Sequence, residues 1–453
     1  MLKNNLRILF LTQTHNLWGG IESWFYALTL WLQRKEWNVH VGLAKGAQYN
    51  NPKAFIAAHP HINNPIILDA SVGTEEARIQ SIIKSCRASS PDVVMPLALG
   101  SIFPAMRRLK QDRKLPRLII PVHSLHQEYL QNVIDNFDVI DQVVGVSRLI
   151  EQFFLEALPY EAKRIHYIRN GVNSPIKKRL EYDGTLRIGY IGRLDNLSKR
   201  VLDIIPLVAY LREAELPMEI HLYGDGPERE RLSESLSSYQ NHNCRIIFHG
   251  YIENTDLYQI AYPYLDVLLL LSPTEGSPLA LYEAMHHGVV PVVSRFLGHA
   301  SEGVIRHGKN AFTFEIGDVK AASSNLMYLA NHPTVLAEFS EQAKKDVAEY
   351  LLSTCNSKWE DFLLKSLELP PRVPGRLDFN KDANLAYGRL ERLGISQGVS
   401  NKVRWLLNRK FPHRSGFEEW PGTQPVDEHR LASVTSQLLT IEAAAASHIY
   451  SEI

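Results

Sequence analysis

Residues Val267 to Glu283 read Val-Leu-Leu-Leu-Leu-Ser-Pro-Thr-Glu-Gly-Ser-Pro-Leu-Ala-Leu-Tyr-Glu and carry the strongest structural signal in the chain. The apolar first part predicts a buried strand of a parallel sheet, Gly276 frees the following loop, and Pro278 suits the first turn of a helix. The loop carries Glu275 to the carboxyl end of the strand, and the helix carries Glu283. Because open α/β sheets bind ligands at that end of their strands, the stretch predicts a binding site as well as a fold.

The chemistry of this stretch suits a nucleotide sugar. Backbone N–H groups at a helix start attract an anion such as a phosphate, and carboxylates accept hydrogen bonds from sugar or ribose hydroxyls. Two glutamates eight positions apart would by themselves be ordinary solvated surface, since most charged side chains are exposed. The strand before the pair and the helix that carries its second member favour a functional site.

The segment from Ser272 to Met285, with the apolar run 288–293 after it, resembles the signature of the retaining glycosyltransferases of the GT-B fold, family four in particular. The resemblance extends over roughly residues 5–365. It implies an α/β protein with two doubly wound Rossmann-like domains facing across a cleft. Past Leu369 the composition changes, and we predict a C-terminal extension there. The resemblance also implies transfer of a hexose or hexosamine from a nucleotide-diphosphate sugar to a hydroxyl acceptor, with retained anomeric configuration. We expect a role in cell-envelope polysaccharide or glycolipid synthesis.

Strand-like runs alternate with helical patterns, which is typical of parallel sheets covered by helices on both faces. A chain of 453 residues with 45% hydrophobic residues can bury two or three cores. We predict an acceptor-side domain over 1–175, a donor domain over 184–368 and an extension of unknown role over 369–453. The predicted strands are 7–12, 38–44, 66–69, 92–98, 117–123, 140–146 and 165–169, then 186–192, 218–223, 244–249, 266–271, 290–294 and 311–316.

Charge and cysteine content narrow the class of protein. The net charge is +0, so nothing draws the whole chain to nucleic acid, and we expect no nucleic-acid partner. The cysteines Cys86, Cys244 and Cys355 lack C-x-x-C spacing, so we expect buried small side chains in a reducing cytoplasm. The first apolar stretch is too short for a signal segment, and no run approaches the ~18 residues of a membrane span. We therefore predict a cytoplasmic protein.

A basic pair follows the strand-like run 186–192. Arg193 and Lys199 lie at the carboxyl end of that run and can neutralise a diphosphate, Arg193 through its planar fork and Lys199 as a point charge. The family carries a basic pair at this place, and both residues match it. Arg200 is an alternative to Lys199, and two solvated loop cations are the alternative to a site.

The resemblance also assigns roles to individual residues. Glu275 would hold hydroxyls of the donor sugar and Glu283 the ribose. Arg193 and Glu283 should lie in the cleft and outside the core, so that their removal weakens donor use without unfolding the protein. The implied catalytic residues are His123, Arg193, Lys199 and Glu275. The implied donor-binding residues are Gly19, Gly20, Arg193, Lys199, Gly224, Gly250, Glu275, Gly276, Ser277, Pro278, Leu279 and Glu283.

Five of these residues are glycines, and four of them lie in predicted turns outside the Glu275 loop. Gly224 and Gly250 resemble the family's turns beside the nucleoside, although a turn chosen for its backbone angles explains them equally well. Gly19 and Gly20 let the backbone approach a ligand at a helix N-terminus, and the resemblance puts this loop near the diphosphate and the acceptor. A dinucleotide site is a poor alternative because the G-x-G-x-x-G spacing is missing.

His123 ends the strand-like run 117–123 and should point into the cleft. The family often has a histidine here, near the donor sugar. The chain holds 18 histidines, and a lone one at a strand end is often structural. His126 is a nearby alternative.

Metal and cofactor predictions rest on missing patterns. No D-x-D triplet occurs, and the sequence has no His, Asp and Glu cluster with ligand spacing. We therefore expect no metal and no cofactor, with the nucleotide-diphosphate sugar as co-substrate. Arg193 and Lys199 would carry the charge of the diphosphate.

Two other classes of function remain open. A nucleotide-sugar-binding regulatory subunit would keep the fold and lose basic or acidic donor contacts. A nucleotide-sugar hydrolase or epimerase of the same fold would differ in its products.

The remaining partner predictions concern the acceptor and the membrane. A carbohydrate or lipid-linked acceptor would meet loops such as 46–64 and 124–135. Residues 387–414 are basic, with apolar positions at helical spacing, and predict a reversible contact with the inner face of an anionic membrane. The alternative is that this stretch packs on the transferase body.

Overall fold

The computed structural model describes residues 6–374 and 419–451, except Trp18, 112–115, 214–215 and 242, together with Val399. The described residues form two parallel sheets, one of seven strands and one of six. The strand order is β3-β2-β1-β4-β5-β6-β7 in the first and β10-β9-β8-β11-β12-β13 in the second. The strands are β1 Arg7–Thr12, β2 Asn38–Lys45, β3 Ile66–Asp69, β4 Val93–Pro96, β5 Arg117–Val122, β6 Gln142–Gly145, β7 Ile165–Tyr167, β8 Leu186–Ile191, β9 Met218–Tyr223, β10 Cys244–Gly250, β11 Val267–Leu270, β12 Val290–Ser294 and β13 Phe312–Phe314.

The predicted α/β class, the doubly wound sheets and all thirteen strands are confirmed. Some predicted strands are too long by a residue or more at an end, because pairing stops before the apolar sequence does. The reversal of strand order beside β1 in the first sheet and beside β8 in the second leaves a crevice outside the carboxyl ends of the strands, which is where such sheets bind ligands.

The central strand β11 shows why its sequence is continuously apolar. Val267 and Leu269 contribute to one hydrophobic core of the second sheet, while Leu268 and Leu270 contribute to another. Side chains alternate between the faces of a strand, so a strand covered on both faces needs apolar residues throughout. β11 pairs in parallel with both β8 and β12.

Helices cover these sheets, and local capping fixes several of their starts. Asn51, Thr74 and Asp318 each accept a backbone N–H of the first turn of the helix that follows. The helices are α1 Gly20–Arg34, α2 Pro52–Ala58, α3 Glu75–Ser89, α4 Ile102–Gln111, α5 Gln127–Asp135, α6 Arg148–Ala157, α7 Asn196–Lys199, α8 Ile204–Arg212, α9 Arg229–Ser237, α10 Asn254–Asp256, α11 Leu279–His286, α12 His299–Glu302, α13 Val319–Asn331, α14 Pro333–Asp346, α15 Leu352–Lys365 and α16 Glu428–Ser451.

The chain divides into two compact units. The first unit comprises the described residues of Met1–Val146, Phe153–Ile168 and Asn356–Thr435. The second unit comprises those of Ser147–Gln152, Arg169–Cys355 and Ser436–Ile453.

These units depart from the predicted boundaries of the donor domain, 184–368, and of the extension, 369–453. Most of α15 belongs to the first unit, because Trp359 and Leu363 are fully buried in the core of that unit. The described residues from Glu419 onward are shared between the units and do not form a separate extension. The three cysteines are free and buried, as predicted.

Candidate functional site

The loop between β11 and α11 has the predicted form. Strand β11 ends at Leu270, and α11 begins directly after Pro278. The loop is held by Leu297, whose N–H donates to the Pro273 carbonyl at 2.9 Å and whose carbonyl accepts the Glu275 N–H at 3.3 Å. The carboxylate of Glu275 is therefore fixed at the carboxyl edge of the second sheet.

Lys199 and Glu275 form the central contact of the site. The Lys199 ammonium lies 2.5 Å from a Glu275 carboxylate oxygen, and the two side chains are 27% and 11% exposed. Asp195 caps α7 by accepting the Leu197 N–H at 2.7 Å, which positions Lys199 at the other end of that short helix. The sequence separates the two charges by 76 positions, and the sheet brings them together because β8 and β11 are neighbours.

The other two cations at this edge differ from Lys199. Arg193 is 66% exposed and lies 3.2 Å from Asp195, so its guanidinium is open to solvent. Arg200 is bound by Asp203 at 2.8 Å. Because Asp203 binds Arg200 whereas Lys199 contacts Glu275, Lys199 is favoured over Arg200 as the second member of the basic pair.

Glu283 lies deeper than we expected. It is 5% exposed, on the packed face of α11, and one of its oxygens accepts the Tyr262 hydroxyl at 2.5 Å. Burial and the nearby carboxylate raise the pKa of Tyr262, so this hydroxyl stays a donor. Tyr258 also donates to Glu283. The expectation that Glu283 lies outside the core is wrong, because two tyrosines from Leu257–Tyr262 cover it.

A buried hydroxyl group without a partner lies just before the start of α11. The Ser277 hydroxyl is buried and has no hydrogen-bond partner among the described residues. The first N–H groups of any helix lack partners within the helix. Pro278 precedes α11 and Leu279 opens it, so this end of α11, beside Gly276, offers donors to an anion next to Lys199 and Glu275.

Close packing requires the glycine at Gly224. Its φ is +138°, and a β-carbon there would lie 1.9 Å from the Gly192 carbonyl oxygen. Gly250 has a φ of +72° and accepts the Gly224 N–H at 2.7 Å. Both residues lie in adjacent turns at the ends of β9 and β10. Backbone conformation and close packing therefore explain these glycines.

His123 belongs to the first unit, directly after β5. Burial lowers the pKa of His123 to about 3, so the imidazole is neutral near pH 7. Its ring centroid lies 4.5 Å from that of Trp24, and its Nε2 atom is buried with no partner among the described residues. A neutral imidazole with a free nitrogen can bond a hydroxyl group.

His123 faces a pocket of about 240 Å³ within the first unit. His126, the alternative to His123, also lines this pocket. Gly19 and Gly20, at the start of α1, are exposed; a β-carbon on Gly20 would meet open space, and one on Gly19 would meet only the end of the Glu22 side chain. Other described residues of the wall include Ile21, Leu97, Pro121, Ser124, Tyr129 and Thr423.

Part of the second unit matches a known protein family. Residues 173–346 match the family described as "Glycosyl transferases group 1". They form a glycosyltransferase group 1 domain. Arg193, Lys199, Glu275 and Glu283 all lie within the matched residues.

Two curated relatives match parts of the chain. The N-acetyl-alpha-D-glucosaminyl L-malate synthase of Bacillus anthracis is 30% identical over 34% of this chain and 39% of its own. The lipopolysaccharide 1,6-galactosyltransferase of Escherichia coli K12 is 26% identical over 53% of this chain and 66% of its own. The chain thus spans less than two thirds of each relative.

Most of the chain also shares its fold with solved structures. HepE of Anabaena in complex with UDP-glucose superposes with a TM-score of 0.63 at 18% identity, covering 79% of this chain and 99% of HepE. The predicted GT-B type of fold, with two Rossmann-like domains, is confirmed by this similarity.

The described residues contain neither a metal-binding cluster nor a membrane-spanning helix. In that part of the chain, no three His, Cys, Asp or Glu side chains group so as to hold a metal ion. No helix among those residues is long and apolar enough to cross a membrane. The predicted membrane-contacting stretch 387–414 lies outside the described residues, apart from Val399.

Sequence reasoning missed three features of these sites. Tyr258 and Tyr262, which hold Glu283 in the glycosyltransferase group 1 domain, lie in the irregular helical stretch before β11 and match no motif. The unpartnered hydroxyl of Ser277 depends on packing. One feature of the sequence could have pointed to Thr423 as a residue of the pocket wall. The nearby Trp420 is a large apolar residue in a polar tail, and such a residue indicates a buried anchor.

Proposed function

We propose that the protein is a retaining glycosyltransferase that moves a hexose or hexosamine from a nucleotide-diphosphate sugar to a hydroxyl acceptor. The observation that carries this proposal is the Lys199–Glu275 contact at the carboxyl edge of the second sheet, next to the start of α11. A cation, a carboxylate and free helix N–H groups at one place suit a ligand with both phosphates and hydroxyls. A nucleotide sugar has both.

The basic groups would stabilise the leaving diphosphate. Charge develops on the phosphate oxygen as its bond to the anomeric carbon breaks, and Lys199, Arg193 and the N–H groups of α11 would offset that charge. Preorganised donors of this kind contribute roughly 3 kcal/mol each to a transition state. Arg193, which is exposed, would turn toward the diphosphate when the donor binds.

Glu275 and Glu283 would position the donor. Glu275 would accept hydrogen bonds from hydroxyls of the sugar, which requires Lys199 to exchange part of its contact for the diphosphate. Glu283, fixed by Tyr262, would accept from the ribose. Positioning of this kind lowers the barrier because the reacting groups no longer have to be ordered during the reaction.

The acceptor hydroxyl would attack the anomeric carbon from the face that the diphosphate leaves. The bond from the anomeric carbon to the phosphate oxygen breaks, a bond to the acceptor oxygen forms, and the acceptor proton passes to the departing phosphate oxygen. The configuration is then retained without a covalent intermediate on the protein. The neutral imidazole of His123 would bond a hydroxyl of the donor sugar.

The named activities of the relatives support an envelope glycan or glycolipid as the product, since one of them acts on lipopolysaccharide. UDP-glucose, which HepE binds, is the first donor to test. We further propose that no metal is required, because Lys199 and Arg193 supply the positive charge. Activity should then survive excess EDTA, and loss that magnesium or manganese restores would contradict this.

A donor panel tests the proposed function. UDP-, GDP- and ADP-linked glucose, galactose and N-acetylglucosamine are compared by thermal shift, where a ligand at ~100 times its dissociation constant adds about 2.7 kcal/mol. The best donor is then incubated with and without sugar acceptors, and products are identified by mass spectrometry. We expect a glycosylated acceptor. Binding without turnover would indicate a regulatory subunit, equal product without acceptor a hydrolase, and an altered nucleotide sugar an epimerase.

A further inference from the structure

A short segment, residues 419–424, crosses the carboxyl end of the first sheet; we call it the strap. The Glu419 carboxylate accepts the backbone N–H groups of Gln48, Tyr49 and Asn50 at 2.5, 3.0 and 2.8 Å. These donors lower the pKa of Glu419 although burial alone would raise it. One carboxylate thus ties the strap to the loop after β2.

The rest of the strap is bound equally closely. Trp420 is 1% exposed, and its indole N–H donates to the Lys45 carbonyl at 3.3 Å. The Pro421 carbonyl accepts the Gly100 N–H at 2.9 Å. A buried tryptophan is the kind of anchor that holds a segment against a surface, because it removes a large apolar area from water.

The far end of the strap is bound to α5. The Thr423 hydroxyl donates to a Glu128 oxygen at 3.0 Å. The backbone of Gln424 pairs in both directions with the Asn132 amide, at 2.6 and 3.0 Å. Asn132 is 2% exposed. The strap is therefore held at both ends and in the middle.

Two glycines of the first unit are shaped to receive the strap. A β-carbon on Gly46 would lie 1.8 Å from a Glu419 carboxylate oxygen. A β-carbon on Gly100 would lie 3.0 Å from the Pro421 carbonyl oxygen. Since neither glycine has a positive φ, room for the strap is the reason for a missing side chain at both positions.

The strap also builds one wall of the pocket beside His123. Gly422 and Thr423 line this pocket opposite elements that come some 300 positions earlier in the chain. The polar side chains around the space are the imidazoles of His123 and His126 and the hydroxyls of Ser124, Tyr129 and Thr423. Among the described lining residues there is no lysine, arginine, aspartate or glutamate.

We propose that the strap is the specificity-determining wall of the acceptor site and that this site takes an uncharged, hydroxyl-rich end group, a single sugar ring. The proposal rests on the proposed transferase function. Hydroxyls and a neutral imidazole can each donate to or accept from a sugar hydroxyl. A phosphate or carboxylate would find no lysine or arginine among the described lining residues, would lie near the Glu128 carboxylate that Thr423 contacts, and would be buried at high cost.

The test uses the full chain and a variant in which a larger side chain fills the pocket. Thr423→Trp places an indole in the space, and Thr423→Val removes only the hydroxyl. Pro425→Trp is the matched control, because Pro425 is exposed, follows directly after the strap and does not line the pocket. Binding of methyl glucoside, methyl galactoside, L-malate and glycerol phosphate is measured by saturation-transfer NMR, which needs no donor and no turnover.

We expect at least one methyl glycoside to bind the wild type and Pro425→Trp, with about tenfold or greater loss in Thr423→Trp and a smaller loss in Thr423→Val. Binding of malate or glycerol phosphate in preference to the glycosides would overturn the proposal. Equal glycoside binding by Thr423→Trp and Pro425→Trp would also overturn it. Thermal shifts with UDP, GDP and ADP on the same variants report on the donor site. Absence of binding of all three nucleotides in every protein would count against the proposed function and leave the sugar-binding result interpretable.

Discussion

The edge of the second sheet around Lys199 and Glu275 and the pocket beside His123 in the first unit differ in charge and in origin. The sheet edge is charged, and its two residues follow the neighbouring strands β8 and β11. The pocket is neutral, and one of its walls is the strap, which arrives from the far end of the chain. Charge suits the diphosphate that these transferases share, whereas a neutral wall of remote origin can change without disturbing the donor site.

This contrast predicts where a single substitution has the greatest effect. Lys199→Ala should reduce kcat/KM for the donor by roughly 10²- to 10³-fold, because it removes a preorganised cation from the leaving group. Arg200→Ala is the matched control, since its partner is Asp203 and not Glu275. The measurement is steady-state turnover at saturating acceptor. Similar losses in both variants would show that the lysine has no special role.

Replacing Glu283 tests whether this proposed donor contact is also part of the buried core. Glu283→Ala leaves the Tyr262 hydroxyl buried without an acceptor, at a cost of roughly 1–3 kcal/mol. We therefore expect its melting temperature to fall by several degrees, and we expect donor use to fall as well. Glu283→Gln keeps an acceptor oxygen and should lose less stability. A Glu283→Ala protein that melts with the wild type would contradict the burial of this carboxylate.

The same contrast explains what sequence could and could not predict. β11 was predictable because both faces of the strand are buried, and Glu275 was predictable because it follows that strand directly. Lys199 needed the family resemblance, and its contact with Glu275 then follows from strand order. The burial of Glu283 was missed because Tyr262 is brought to it by packing. The strap could not be predicted because no local pattern links Glu419 to Gly46.

A double-mutant cycle tests whether Gly46 makes room for the Glu419 carboxylate of the strap. Gly46→Ala and Glu419→Ala should each weaken acceptor binding a few-fold, because each releases the same anchor. The double variant should be scarcely worse than either one, with a coupling of about 1 kcal/mol. Acceptor KM is measured beside donor KM, which should stay constant. Strictly additive losses would mean that Gly46 does not make room for Glu419.

His123 predicts a pH dependence of stability. Its pKa is lowered to about 3, so as pH falls from 7 to 5 the unfolded chain binds a proton at this residue and the native state does not. Stability conferred by the neutral form is therefore lost as pH falls below the unfolded value of ~6.5, by about 2 kcal/mol at pH 5. His123→Gln has no titrating group at this position and therefore lacks this pH dependence of stability.

The measurement is urea unfolding of both proteins at pH 7 and pH 5. The stability of the wild type relative to His123→Gln should decrease by about that amount at the lower pH. A difference that stays constant with pH would mean that His123 titrates alike in the folded and unfolded states, and that the imidazole is not held neutral by burial.

Titration calorimetry of nucleoside diphosphates reports on the donor site by itself, because it needs no acceptor. UDP, GDP and ADP are titrated into the wild type, Lys199→Ala and Arg200→Ala. We expect one diphosphate to bind the wild type and Arg200→Ala with similar affinity and to bind Lys199→Ala at least about tenfold more weakly, a difference of ~1.4 kcal/mol. Equal affinity for Lys199→Ala, or no binding of any diphosphate to the wild type, would contradict this expectation.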